Sequence, residues 1–175
     1  MTLDYGLFVL RLAVGLIVAA HGVQKLFGWF NGPGLAGTAK MMGNLRLEPS
    51  RFWAWISALN ESVGGLLTAL GLLMPIGPLL IIANMLTATA FVHWHKGFWN
   101  TNGGWEYPLT LAAAALSLVL TGTGIYALDP LLGIALPEPL TAVLGLIVVL
   151  IGFGLTLGIS GRIPLGGRQP TPRTQ

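Results

Sequence analysis

The sequence predicts an all-α integral membrane protein: a four-helix transmembrane bundle, a fifth C-terminal transmembrane helix, and an amphipathic helix in the loop after the first span. Three observations carry this reading. The chain is 54% hydrophobic and only 9% charged, against roughly 25% charged residues in soluble domains. Five apolar stretches approach the roughly twenty residues a helix needs to cross a hydrocarbon core about 30 Å thick. Most of the charge, with all six Trp residues, falls in the segments at one membrane face.

The five stretches are residues 3–26, 52–73, 78–94, 107–128 and 139–159. The first has an acidic amino end (Asp4) and is interrupted by Arg11, which is not the pattern of a cleaved signal, so it is expected to remain as a helix. Met74-Pro75-Ile76-Gly77-Pro78 stops the second and starts the third, because proline disfavours helix in the residue before it; the two form an antiparallel hairpin. Thr121-Gly122-Thr123-Gly124 interrupts the fourth, whose last turns are expected to unwind or lie in the interface. In the loop of residues 28–51, Leu35, Ala39, Met42 and Leu45 recur at helical spacing opposite Lys40, Asn44 and Arg46, which predicts a surface helix introduced by Gly32-Pro33-Gly34. Residues 1–160 form one membrane domain, and residues 161–175, rich in Pro, Gly and Arg, are expected to be a disordered polar tail.

The absence of cysteine excludes disulfide exchange, thiolate catalysis and iron–sulfur ligation. A pI of 9.7 does not indicate nucleic acid, because the nine Lys and Arg form no dense run and follow the spans as topology signals do. Lys25, Lys40, Arg46, Arg51, Lys96 and the three arginines of the tail share one side when the chain crosses five times. The positive-inside rule then predicts the amino terminus outside and the carboxyl terminus in the cytoplasm.

Polar residues within the spans nominate the site. Counting 1.5 Å per residue from the helix ends, Arg11, Glu61 and Asn84 fall at similar depth, so a mid-membrane cluster with an Arg11–Glu61 pair is expected; an unpaired charge at that depth would cost on the order of 3 kcal/mol. Stripes of small residues, Gly15 and Gly22 on one helix and Ala58 and Gly65 on the other, let the two backbones approach. A second cluster lies at the basic face: His21 and Lys25 end the first span, His93, Trp94 and His95 end the third, and Glu106 and Tyr107 begin the fourth. Helical phase puts His95 with Asn84 and turns His93 the other way. A structural ion pair and interfacial anchoring by Lys, His and Trp remain open as the plainer readings of the two clusters.

The segments HGVQKLFGWFNGPGLAGT from His21, ALNESVGGLLTALGLL from Ala58, ANMLTATAFVHWHKGFW from Ala83, GGWEYPLTL from Gly103 and TGTGIYALD from Thr121 together resemble the DoxX family of bacterial membrane proteins. The match runs from about Leu7 to Asp129. The resemblance implies a four-helix membrane bundle and points to Arg11, His21, Lys25, Glu61, Asn84, His93, Gly97 and Glu106 as the family's polar positions; it favours His93 over His95. It also implies redox or quinone chemistry at the membrane, or partnership with redox-stress enzymes. The fifth span, with Gly145, Gly152, Gly154 and Gly158 along it, departs from the four-helix pattern.

The expected function is therefore a redox-associated membrane protein, a component of a membrane oxidoreductase, that binds a quinone-like apolar ligand between the first four spans. Quinone reduction takes up protons, so a titratable donor must stand near water beside an apolar slot. His21, His93 and Glu106 are the candidate catalytic groups, and Arg11, Lys25, Glu61, Asn84, Trp94, His95 and Tyr107 the candidate ligand contacts. No metal site is expected. A haem between His21 and His93 is geometrically conceivable, but no attachment motif accompanies it, and haem is not expected. Expected partners are membrane lipid, the lipid-soluble quinone-like ligand, and soluble redox enzymes or further copies of the chain, with no nucleic acid. A non-catalytic scaffold for soluble redox enzymes is the alternative class, and a small-solute transporter the third.

Overall fold

The computed structural model describes residues 2–161; the tail expected beyond Gly161 lies outside them. Among the described residues all regular structure is helical. The principal helices are α1 (Thr2–Phe27), α2 (Gly34–Asn44), α3 (Ser50–Leu70), α4 (Ile76–Ala88), α5 (Glu106–Thr121), α6 (Leu128–Leu132) and α7 (Leu140–Ile159). Helix α4 runs on through a π turn at Thr89–His93 and a 3-10 turn at Trp94–Lys96. With that extension α4, like α1 and α7, is long and apolar enough to cross a membrane, while α5 is a shorter apolar helix. Leu16, Val63, Leu66, Leu116, Val148 and Ile151 point outward and exposed, as lipid-facing side chains of a helical membrane bundle do.

Helix α1 packs on α3 through the two small-residue stripes. A Cβ on Gly15 would come within 2.5 Å of the Ala69 backbone nitrogen, and one on Gly22 would overlap Ser62, so only glycine permits this approach. These contacts also fix the register: Gly15 is level with Ala69, and Gly22 with Ser62. The first turns of α3 consequently project past the end of α1, where α2 packs against them through buried Thr38 and Met42. Val14 and Val18 of α1 join Leu79, Ile81, Ile82 and Met85 of α4 and Leu111, Ala115 and Val119 of α5 in the main core. Helix α7 lies mainly along α4.

The fourth span ends at Thr121, short of the expected residue 128. Gly122 adopts φ +79 and Gly124 φ +69, the left-handed region where glycine is at ease, and the chain leaves the helix there. It then folds back over the end of the α3–α4 hairpin. Asp129, buried at the start of α6, donates its backbone N–H to Gly71 O at 3.0 Å. Its carboxylate accepts the Leu73 and Met74 N–H groups, each at 2.8 Å. Tyr126 stacks on Tyr5 with ring centroids 4.9 Å apart, and Asp4 accepts the Ile125 N–H at 3.3 Å.

Candidate functional site

Near the basic face, four polar side chains from three helices close into a ring. Lys25 Nζ lies 2.7 Å from Glu61 Oε2; it is an ion pair off the line of a directed hydrogen bond. Lys25 Nζ donates to Ser57 Oγ at 3.0 Å, Ser57 Oγ donates to Asn84 Oδ1 at 3.2 Å, and Asn84 Nδ2 donates to Glu61 Oε1 at 2.5 Å. Helix direction brings the two charges together. Side chains lean toward the amino end of their helix, so on antiparallel helices Lys25 of α1 leans into the membrane while Glu61 of α3 leans toward the basic face. Ser57 stands one turn before Glu61 on the same stripe.

Lys25, Ser57 and Asn84 of the ring line a cavity of about 530 Å³ between α2, α3, α4 and α7, together with Asn60 and Thr87. The remaining wall is apolar, with Met42, Phe52, Trp53, Phe91 and Phe153 among its side chains. Glu61 lies behind the lining, its side chain 5% exposed against 19% for Lys25. A largely apolar pocket of this size with a few convergent polar groups is the usual form of a small-molecule site. The π turn of α4 places Phe91 and Val92 on the wall, and such turns recur at functional sites.

The expected Arg11–Glu61 pair does not form: Lys25 takes the place assigned to Arg11. By the α1–α3 register, Arg11 is roughly 18 Å along the helix from the level of Glu61. Its guanidinium is buried against Gly71 and faces the Phe8 ring, 5.2 Å from the centroid. Its Nε and Nη1 have no hydrogen-bond partner among the described residues. Glu61 and Asn84 do meet, as depth indicated.

Of the second cluster only Lys25 lines the cavity; its other groups lie at the basic face outside the lining. His93 Nδ1 is 2.6 Å from Gly103 O; since a carbonyl only accepts, the ring donates from Nδ1. Glu106 accepts the Asn100 N–H at 2.9 Å, so both residues fasten the turn of residues 97–105. Tyr107 OH and His21 Nε2 are 3.5 Å apart on an exposed face. Trp94 is exposed and stacks on Trp105 at 5.9 Å, and His95 is exposed on the 3-10 turn. The π turn, by adding a residue to one helical turn, breaks the phase that had aligned His95 with Asn84. Sequence reasoning passed over Ser57, Asn60 and Thr87 as site residues; their spacing from Glu61 and Asn84 was the available signal.

The family model DoxX matches residues 6–94 of the chain, the region that supplies every member of the polar ring. A Bacillus subtilis (strain 168) protein named "Putative oxidoreductase CatD" is 32% identical over 127 residues, covering 73% of this chain and 87% of that protein. No solved structure matches. By the family model and by this relative, the chain belongs to the DoxX family.

Proposed function

We propose that this protein binds a quinone-like, partly apolar ligand in the cavity behind α2 and serves as the membrane component of an oxidoreductase. The observation that carries the reading is the juxtaposition of an ammonium-bearing polar ring with an otherwise apolar cavity of about 530 Å³. When a quinone takes up electrons its carbonyl oxygens gain negative charge, and a fixed cation in a low-dielectric slot stabilises that charge. Lys25 is placed for this role, with Asn60, Ser57 and Thr87 as further hydrogen-bonding groups on the lining. His21, His93 and Glu106, standing outside the lining, are left to exchange protons at the basic face. The name of the Bacillus subtilis relative supports the oxidoreductase assignment. The orientation is amino terminus outside and carboxyl terminus in the cytoplasm of the inner membrane, supported by the basic loops.

The test is to purify the chain in mild detergent and identify co-purified lipid-soluble molecules by mass spectrometry, with a fluorescence titration using a short-chain naphthoquinone. Gly152 lines the cavity and an added Cβ there meets open space, so Gly152→Phe should obstruct the cavity without disturbing the fold. The expected result is a bound quinone and quenching that Trp53→Phe reduces and Gly152→Phe abolishes. An empty preparation, with quenching unaffected by Gly152→Phe, refutes the reading.

The scaffold reading rests on exposed Trp29, Phe30 and Trp99 beside Lys40 and Arg46 at the same face. It predicts that reversing those two charges abolishes association with soluble redox enzymes while variants of the polar ring do not.

A further inference from the structure

A second cavity of about 390 Å³ lies between α4 and α7 and shares Leu80, Val148 and Val149 with the first. Together they make one groove along α4 with the polar ring partway along it: apolar lining runs toward the basic face through Phe91 and Val92, and toward the opposite face through Leu80 to Ile76. From Asn84 to Ile76 it spans about 12 Å at helical rise. The lining beyond the shared residues is aliphatic except for Thr141, whose hydroxyl donates to Pro137 O at 2.8 Å and so is engaged by its own helix. A headgroup would find no partners there, and water needs two to four polar neighbours to be held. Hydrocarbon is the chemistry that fits.

Resting on the ligand site proposed above, we infer that the ligand carries one long apolar tail, and that this tail runs from the cavity along the α4–α7 groove. The polar side chains gather in one short stretch of the groove: a compact headgroup sits at Lys25 and Asn84, and a single chain extends past Val148 to Leu144 and Ile76. Helix α7 leaves most of its surface exposed, so the groove opens sideways to lipid, the source from which a tailed ligand would enter.

The probe is a benzoquinone bearing a diazirine at the end of a decyl tail, photolysed with the full chain in detergent and mapped by peptide mass spectrometry. Labelling at Leu144, Thr141 or Ile76, abolished by excess tailless benzoquinone, is the expected result. The variant Val148→Trp, placed at the junction where the side chain is exposed enough to tolerate a larger group, should cut that labelling severalfold. Displaceable labelling confined to α2 or to Phe52 and Trp53 would overturn the tail path and leave the headgroup site standing. Labelling that excess benzoquinone does not displace would overturn both.

Discussion

Substituting Lys25 with Met should destabilise the bundle more than substituting Glu61 with Gln, although each breaks the same ion pair. The Glu61 side chain is 5% exposed and stands over two turns inside α3, so without Lys25 its carboxylate keeps only the Asn84 amide. Stripping one partner from a buried pair costs about 3–5 kcal/mol. Lys25 is 19% exposed and stands half a turn from the end of α1. In Glu61→Gln its ammonium keeps Ser57 and can extend toward the basic face, while the new amide oxygen can still accept from Asn84, so the loss should be about 1 kcal/mol. At roughly 2–4 °C per kcal/mol for a chain of this size, Lys25→Met should lower the apparent melting temperature by about 6–20 °C and Glu61→Gln by a few degrees. Because the double variant buries no charge, it should be more stable than Lys25→Met alone. Thermal unfolding of all four proteins in one detergent, followed by size-exclusion fluorescence, measures this. Equal losses in the two single variants, or a double variant as poor as their sum, would refute the argument. If Lys25→Met fails to fold, the double variant still decides it.

Arg11→Met removes a buried guanidinium with two unpartnered nitrogens and one ring contact, so stability should stay within about 1 kcal/mol of the parent or rise; the same melts check it. Asp129→Asn keeps one acceptor for the two N–H groups of Leu73 and Met74, and should cost about 1–3 kcal/mol, with faster hydrogen exchange confined to the α3–α4 turn. Gly65→Val drives a side chain into the Ala19 backbone and should abolish folded yield, whereas Gly154→Val, where an added Cβ meets open space, should leave it unchanged.

Hydropathy made the ends of α1 and α7 legible to within a residue or two, because each is a long apolar run bounded by polar or helix-breaking residues. At the end of α5 hydropathy carried the span on to residue 128, because Ile125-Tyr126-Ala127-Leu128 is apolar, while the interruption expected at Thr121-Gly122-Thr123-Gly124 is where the helix ends. Gly122 and Gly124 had already turned the chain out by their φ angles, and Asp129 held it there, an acceptor role that no periodicity signals. At the site, depth brought Asn84 beside Glu61 but misassigned the cation. Counting inward from each helix end assumes that the ends are level, and α3 begins well beyond the end of α1. The contacts that set this stagger, Gly15 on Ala69 and Gly22 on Ser62, belong to tertiary packing. Likewise the π turn in α4 breaks the phase that aligned His95 with Asn84, and a phase count at a fixed helical period cannot register it.

The stagger also explains why the polar ring and the cavity wall come from different parts of the chain. Lys25, Ser57, Glu61 and Asn84 all fall within the residues matched by the family model, and the α1–α3 register alone brings the two charges together. The side of the cavity formed by Val149, Gly152, Phe153 and Thr156 belongs to α7, outside that match. Headgroup recognition in the proposed site therefore rests on the family region, and the shape offered to the rest of the ligand rests on α7. The two contributions are separable: ring variants should weaken tailed and tailless quinones alike, whereas Val148→Trp should affect the tailed ligand alone. A ring variant that discriminated by tail, or a Val148→Trp variant that did not, would place the headgroup somewhere other than at Lys25.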